Sequence, residues 1–137
     1  MKNNYSDLGK KEFNKNNLDL ALLYYKFDVY YNNDLKYLAY YNIGVIYFLK
    51  KDYKSSLKFF KNSIILNPNW YKSWRILGDV LEELKLYVKA IIAFKRCGEL
   101  SIFSDEINNK ILKIENKLIS LEDTEDSDSY CNENENK

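Results

Sequence analysis

Along most of this chain, apolar residues recur every three or four positions, which is the spacing of amphipathic helices. The pattern around Tyr40 returns 34 residues later around Trp74, and a weaker copy around Tyr5 precedes it by 35 residues. Glycine (4) and proline (1) are too scarce for the many turns of an all-β fold. The pattern therefore predicts an all-α protein built from three similar units.

Each unit has large and small residues at fixed positions. The second copy reads Tyr40-x2-Ile43-Gly44-x2-Tyr47 and continues to Pro68. In chain order, the repeat-defining positions are Leu8, Gly9, Ala21 and Tyr25; Tyr40, Ile43, Gly44, Tyr47, Ser56, Phe60 and Pro68; and Trp74, Leu77, Gly78, Leu81, Ala90 and Phe94. We expect each glycine to face the small residue of the second helix, so that the two helices approach closely. Phe60 and Phe94 are expected to reach the following element, since each repeat leaves an apolar face for the next one to bury.

This spacing closely resembles that of the tetratricopeptide-repeat (TPR) family over about residues 37–103. The resemblance implies three helix-turn-helix repeats, at about residues 2–35, 37–70 and 71–103, stacked as a right-handed α-solenoid. Asn67-Pro68-Asn69 is interpreted as a turn between repeats, because proline cannot supply the backbone N–H that a continuing helix needs.

Residues 105–121 carry apolar side chains on one helix face and are predicted to cap the last repeat. These residues are Ile107, Ile111, Ile114, Leu118 and Leu121. Ser104 is a suitable N-cap, and the alternative interpretation, a coiled-coil strand for self-association, requires a longer segment. The TPR domain is thus expected at 1–121. Residues 122–137 contain few apolar side chains and are predicted to form a disordered acidic tail.

The net charge of +1 conceals an uneven distribution. Residues 1–121 carry 20 basic and 13 acidic residues, a net charge of about +7, whereas the tail carries 1 basic and 7 acidic residues, about −6. A basic body favours an acidic partner. The tail itself could fold back onto the basic groove as an internal competitor.

By resemblance, the first helix of each repeat lines a concave groove that binds a protein or peptide. The expected groove residues are Lys10 and Phe13; Tyr41, Asn42, Val45 and Leu49; and Lys72, Arg75, Ile76 and Asp79. Lys10, Lys72 and Arg75 would meet acidic groups, and Asp79 could pair with Arg75 or repel an acidic ligand. Tyr41 is expected to be an exposed aromatic anchor.

Asn42 and Lys72 match two positions of the chaperone-binding, carboxylate-clamp TPR subclass, which grips the C-termini of Hsp70 and Hsp90. In that subclass the asparagine holds the peptide backbone and the lysine meets carboxylates. The remaining clamp positions differ, because this chain has Ser6, Lys10 and Ile76 there. Two interpretations stay open: a general adaptor that binds proteins, and an Hsp70/Hsp90 co-chaperone that recognises an acidic C-terminal peptide.

Other function classes have less support. The chain has no histidine, no CxxC pair and no glycine-rich phosphate loop, so we expect a non-catalytic protein without a cofactor or metal. A basic nucleic-acid-associated scaffold is a weaker alternative, because the lysines are scattered around the helices. The longest apolar run, Ile43 to Leu49, is too short to span a bilayer, and the N-terminus lacks a signal-peptide pattern. A cytoplasmic location is expected, with the nucleus as the alternative.

The cysteines and the clustered tyrosines are interpreted structurally. Cys97 lies in an apolar helical segment and is expected to be inert core, whereas Cys131 lies in the tail, which argues against a disulfide. Tyr24, Tyr25, Tyr30 and Tyr31 crowd the second helix and are expected to pack in the core or between repeats.

Overall fold

The computed structural model describes the backbone of residues 4–32 and 34–135, and the side chains of 4–32 and 34–124. Across these residues the chain forms seven helices and no strand. The helices are α1 (Tyr5–Asn14), α2 (Leu18–Tyr31), α3 (Lys36–Leu49), α4 (Tyr53–Leu66), α5 (Tyr71–Glu83), α6 (Tyr87–Leu100) and α7 (Ser104–Glu135). Helices α1–α2, α3–α4 and α5–α6 pair as hairpins that stack in order, and α7 packs on α6. The predicted all-α solenoid of three hairpins with a capping helix is confirmed.

The turn inside each hairpin has the same backbone geometry. One residue per turn adopts a left-handed conformation, Asn16 (φ 63°), Lys51 (φ 62°) and Lys85 (φ 60°). In the second hairpin the N–H of Lys51 donates to the carbonyl of Phe48, and that of Asp52 donates to Tyr47, both at 2.9 Å. These two bonds close the end of α3 as a Schellman motif, which satisfies carbonyls that the helix leaves without partners.

Each hairpin packs an aromatic ring against a glycine. A Cβ atom added to Gly44 would lie 3.0 Å from the Phe60 ring, and one added to Gly78 would lie 2.5 Å from Phe94. Gly9 has the same relation to Tyr25, at 2.8 Å. The ring one helical turn beyond the small residue therefore fills the space above each glycine. Gly44 also faces Ser56 as expected, since the Ser56 hydroxyl donates to the Gly44 carbonyl at 2.8 Å.

Two buried serines connect neighbouring repeats. Ser63 on α4 donates its hydroxyl to the carbonyl of Tyr37 at 2.8 Å, and its oxygen lies 2.8 Å from that of Ser73 on α5. Both serines are fully buried. Buried hydroxyl groups need such partners, so this bridge fixes how α3, α4 and α5 meet.

Helix α7 covers the last hairpin through three isoleucines. Ile107, Ile111 and Ile114 are buried, which confirms the capping role of this segment. Leu118 is only partly buried and Leu121 is 50% exposed, contrary to expectation. Lys117 contacts Glu82, near the end of α5, so the residues that follow have little of α5 left to pack against.

The helix also continues beyond its expected end at Leu121, through the acidic segment to Glu135. This segment contains no glycine or proline that would end a helix. The division into a domain at 1–121 and a disordered tail at 122–137 stays a prediction. Among the described residues, no helix is long and apolar enough to cross a membrane.

The aromatic residues of α2 divide between core and surface. Tyr25 is buried as expected, but Tyr30 is 78% exposed and Tyr31 is 56% exposed. Their rings instead contact each other in the last turn of α2, with centroids 4.8 Å apart. The expected packing of Tyr30 and Tyr31 in the core or between repeats was therefore wrong. Cys97 is buried, and burial raises the pKa of its thiol, as an inert core residue requires.

Candidate functional site: a concave groove

A groove of about 440 Å³ opens along the first helices of the three hairpins. It is lined by Ser6, Lys10, Phe13, Asn14, Tyr25, Tyr41, Asn42, Val45, Trp70 and Lys72. Six of these were expected from the repeat register: Lys10, Phe13, Tyr41, Asn42, Val45 and Lys72. Because α1, α3 and α5 each begin one hairpin, stacking the hairpins brings side chains from distant parts of the sequence together.

A smaller concavity of about 290 Å³ continues the groove toward α7. Its lining residues are Tyr41, Tyr71, Lys72, Arg75, Ile76 and Asp79, so Tyr41 and Lys72 belong to both spaces. Leu49, also expected in the groove, lines neither space and is 51% exposed at the end of α3. It lies beyond the part of α3 that faces the groove.

The cations of the groove differ in whether they are paired. Lys10 and Lys72 are exposed and form no ion pair with any residue of the described ranges. Arg75, in contrast, forms an ion pair with Glu106 of α7. The two lysines are therefore the cations available to a ligand, while Arg75 is already occupied.

Asp79 is also paired with α7. Its carboxylate accepts a hydrogen bond from Lys110 at 2.7 Å, and Glu82 accepts one from Lys117 at 3.0 Å. The suggested pairing of Asp79 with Arg75 was wrong, because the charged residues of α7 lie closer to both. The Asp79 carboxylate at the end of the groove is thus paired with a lysine, so it repels an acidic ligand less than an unpaired carboxylate would.

Tyr41 and Trp70 form an aromatic wall of the groove. Tyr41 was expected to be exposed, but it is half-buried. Its ring meets Phe60 and Trp70 edge to face, with centroids 5.7 and 4.7 Å away. Trp70 also meets Tyr37 edge to face at 5.2 Å. Two aromatic neighbours therefore hold the Tyr41 ring, and Trp70 adds aromatic surface to the groove.

The two tyrosines that line the groove, Tyr25 and Tyr41, stay neutral at neutral pH. Burial raises the pKa of Tyr41 above 10.0, although Arg75 acts in the opposite direction. Burial also raises the pKa of Tyr25, and Asp28 raises it further. Since phenols that stay protonated add no negative charge, Lys10 and Lys72 give the groove its positive potential.

Three lining residues, Asn14, Tyr25 and Trp70, were not expected in the groove, whereas Ser6 was expected only as a departure from the clamp. Asn14 lies four residues after Lys10 on α1, so the helical period could have identified it. Tyr25 had been assigned only to packing. Trp70 lies in the turn before α5, outside the helical register that led to the other residues.

Comparison with known proteins agrees with this architecture. Residues 37–69 match the family model described as tetratricopeptide repeat. No curated protein matches the chain by sequence. Similar solved structures include the first TPR of Spaghetti (RPAP3) bound to the HSP90 peptide SRMEEVD. It is 21% identical and has a TM-score of 0.78, and the match covers 84% of this chain and 90% of that one.

Two further structures extend the comparison. The Sgt2 TPR domain from Aspergillus fumigatus is 14% identical, with a TM-score of 0.76 and coverage of 86% of this chain and 79% of that one. The complex of the TPR2B domain of yeast Sti1 with pHsp70 is 14% identical, with a TM-score of 0.75 and coverage of 82% and 94%. At such identities, the likeness establishes a shared fold.

Proposed function

We propose that this chain, which has the fold of a tetratricopeptide-repeat domain, is a non-catalytic adaptor that binds an acidic segment of a partner protein. One observation carries the proposal. Lys10, Asn42 and Lys72, from α1, α3 and α5, converge on a single groove of about 440 Å³. Each of the three hairpins thus contributes at least one polar group to a space of the size that binds ligands.

The groove offers complementary chemistry to an extended acidic peptide. The Asn42 amide can donate to a peptide carbonyl and accept from a peptide N–H at the same time. Lys10 and Lys72 can form charge-assisted hydrogen bonds with carboxylates, which are stronger than bonds between neutral groups. Phe13 and Val45 line the same space and supply apolar contact.

A finer proposal concerns the partner: an acidic C-terminal peptide of the Hsp70/Hsp90 type. The RPAP3 structure contains an HSP90 peptide, and the Sti1 structure is a complex with pHsp70. Asn42 and Lys72 match two of the five clamp positions, while Ser6, Lys10 and Ile76 stand at the other three. The same proposal includes a cytoplasmic site of action, with the nucleus as the alternative, to be tested by imaging a tagged full chain.

The decisive experiment titrates the full chain with a peptide ending in Glu-Glu-Val-Asp and with its C-terminal amide. We expect micromolar binding that is weakened at least about tenfold by amidation, equivalent to about 1.4 kcal/mol. Binding of both forms with equal affinity would retain an acidic-peptide adaptor and exclude recognition of the terminal carboxylate. Binding of neither peptide would leave the co-chaperone proposal without support.

A double substitution tests the groove itself. Asn42→Ala with Lys72→Ala should weaken peptide binding at least about tenfold without changing helicity or Tm, because both side chains project into the groove. The matched control is Lys61→Ala with Asn108→Ala, which removes one lysine and one asparagine that do not line the groove. Equal binding by the two double variants would contradict the groove as the binding site.

A further inference from the structure

The first hairpin has an exposed apolar surface that lies outside the groove. Its exposed large side chains, which we call the outer face, are Leu8 of α1 and Leu20, Leu23, Phe27, Tyr30 and Tyr31 of α2. None of them lines the groove or its smaller extension. Leu8 and Lys10 lie about 200° apart around α1, so the outer face and the groove occupy opposite sides of that helix. Exposed apolar surface of this kind commonly marks an interface with another protein.

Aromatic contacts make the outer face continuous. The Tyr5 ring of α1 contacts the Phe27 and Tyr31 rings of α2, with centroids 5.4 and 5.8 Å away. Leu20 and Leu23 extend the face along α2, because they lie seven and four residues before Phe27 and therefore on the same side of the helix. Both helices of the hairpin thus contribute to one patch.

The other hairpins show that the repeat itself does not require this patch. The residues equivalent to Leu20 and Phe27 are polar in both of them. They are Ser55 and Asn62 in α4, and Lys89 and Arg96 in α6. A hairpin therefore folds with polar side chains at these outward positions, and the apolar pair of α2 needs another explanation.

Leu8 differs from its equivalents in the same direction. It is 39% exposed, whereas Ile43 and Leu77 are buried. Ile43 packs in one cluster with Ala21 and Tyr25 of the preceding hairpin. The first hairpin has no preceding hairpin among the described residues, so the outer face is a stacking surface that another body can cover.

The outer face is suited to pack against an identical face. Its six side chains are uncharged, and two charged residues beside it point toward α3 instead. Asp19 pairs with Lys50, and the Lys26 ammonium lies 6.0 Å from the centroid of the Tyr47 ring. Two such faces can therefore meet without bringing like charges of their own together.

The two ends of the outer face are also complementary to each other. Leucines lie toward the N-terminal end of α2, and aromatic rings lie toward its C-terminal end. If two copies of α2 pack antiparallel around a two-fold axis, Leu20 of each copy lies opposite Tyr31 of the other. The two Phe27 rings then lie near the axis. Every contact between leucine and ring occurs twice, as a symmetric interface requires.

The size of the outer face fits the centre of a dimer interface. The exposed parts of Phe27, Tyr30 and Tyr31 amount to roughly 340 Å², at about 200 Å² for a whole aromatic side chain. The three leucines add to this area. A stable interface buries about 800 Å² of each partner, as an apolar core within a polar rim. The outer face supplies such a core.

We propose that the outer face is a dimer interface, on which a second copy of this chain packs with its α2 antiparallel to the first. The groove opens on the other side of α1, so both grooves stay accessible and the dimer carries two of them. Dimerisation goes beyond the proposed adaptor function and does not depend on it.

Sedimentation equilibrium of the full chain tests the proposal. The chain should dimerise reversibly at micromolar concentration, with a mass of twice 16.4 kDa. Leu20→Ser with Phe27→Asn introduces the residues that α4 has at these positions, and it should weaken dimerisation at least about tenfold. Val88→Ser with Ile92→Asn is the matched control, because it makes the same kind of change at exposed apolar residues of α6. The control should dimerise as the unmodified chain does.

The outcomes separate this interface from other surfaces and from the groove. A chain that stays monomeric overturns the proposal and leaves the outer face to a different partner protein. Dimerisation that persists in Leu20→Ser with Phe27→Asn, or that the control loses equally, also overturns it. Affinity for the Glu-Glu-Val-Asp peptide, measured per chain, should be the same in this variant, because neither residue lines the groove. Failure of the unmodified chain to bind that peptide contradicts the proposed function alone.

Disulfide trapping keeps the test decisive if the polar variant does not fold. In a Cys131→Ser background, Leu20→Cys with Tyr31→Cys should form bonds between chains on oxidation, because the two positions meet across the axis. They are eleven residues apart on α2, about 16 Å, which is beyond the roughly 7 Å that a disulfide spans between Cα atoms. Bonds within one chain or between identical positions are thus out of reach. Equal cross-linking by either single-cysteine variant would contradict the antiparallel packing.

Discussion

At the residue scale, two glycines differ in whether the surrounding structure leaves room for a side chain. A Cβ at Gly78 would lie 2.5 Å from the buried ring of Phe94, closer than atoms pack without moving. A Cβ at Gly98 would meet Ile107 at 3.5 Å, an ordinary van der Waals contact. Gly78 is thus needed for the close approach of ring and helix, whereas Gly98 only weakens α6.

These contacts predict opposite effects for the same substitution. Gly78→Ala should destabilise the protein by about 1–3 kcal/mol, because overpacking outweighs the better helix propensity of alanine. Gly98→Ala should stabilise it by about 0.5–1 kcal/mol, since it removes the entropic cost of glycine within a helix. Urea denaturation of both variants gives the two free energies of unfolding, and equal signs would contradict the packing described.

Lysines occupy left-handed backbone positions that usually favour glycine. Lys85 has φ 60° in the turn between α5 and α6, and it forms no ion pair with described residues. For a residue with a side chain this conformation costs about 1–2 kcal/mol. Glycine removes that strain, but it also raises the entropy of the unfolded chain, which offsets part of the gain.

Lys85→Gly should therefore stabilise the protein by about 0.5 kcal/mol. Lys95→Gly is the matched control: Lys95 is exposed within α6, where glycine should cost about 1 kcal/mol. The difference in Tm between the two variants tests the prediction. A lower Tm for Lys85→Gly than for the unmodified chain would show that the lysine side chain contributes more than the turn geometry costs.

At the scale of elements, α5 and α7 are joined by three ion pairs: Arg75–Glu106, Asp79–Lys110 and Glu82–Lys117. The first pair has its cation on α5 and the other two have their cations on α7, so the three pairs together fix the register of α7 on α5. They also neutralise the charges of α5 next to Lys72. Exposed pairs of this kind contribute little stability because water screens them, so their main effect is on the potential of the groove.

Removing the carboxylate from Glu106 should make Arg75 available to an acidic ligand. We expect Glu106→Gln to increase affinity for an acidic peptide by roughly two- to fivefold at low salt, equivalent to up to about 1 kcal/mol. Glu115→Gln is the control, because it removes an α7 carboxylate outside these pairs. A gain of equal size in the control would assign the effect to net charge alone, and added salt should reduce either gain.

The repeat register explains how much of the groove the sequence could predict. Asn42 and Lys72 both line the groove because α3 and α5 are equivalent helices whose apolar positions fix which side faces inward. Arg75 shares that register, yet its pairing was not predictable. Its partner Glu106 belongs to α7, whose rotation depends on how Ile107 and Ile111 pack against the last hairpin.

Features that do not follow the helical period were harder to predict. Trp70 follows Pro68 in a turn, where no periodic pattern says which way a side chain points. Its contact with Tyr41 also explains why that tyrosine is half-buried instead of exposed. The bridge between Ser63 and Ser73 depends equally on the packing of two helices, and a serine carries no sequence signal for such a partner.

At the scale of the whole molecule, stability is expected to be a sum over neighbouring hairpins plus the cap. Removal of residues 104–137 would expose the surface that Ile107, Ile111 and Ile114 cover. Each buried isoleucine contributes about 1.5–3 kcal/mol, so the loss approaches the total stability of a domain of this size. The shortened chain should therefore show no cooperative thermal transition by circular dichroism.

Removal of residues 122–137 alone should have the opposite result, because Glu122, Asp123 and Thr124 are exposed and the isoleucines of α7 remain. We expect an unchanged Tm within about 2 °C, which corresponds to less than about 0.5 kcal/mol.

This variant also changes the net charge from +1 to about +7, so a competing acidic tail predicts tighter binding of acidic peptide at low salt. A chain with the same tail residues in scrambled order separates the two causes. If the tail acts only through its charge, the scrambled chain should bind the acidic peptide as weakly as the unmodified chain does. If the tail docks in the groove by its sequence, the scrambled chain should bind as tightly as the shortened one. Unchanged affinity after removal would exclude the competing tail and leave the groove open to partners at all times.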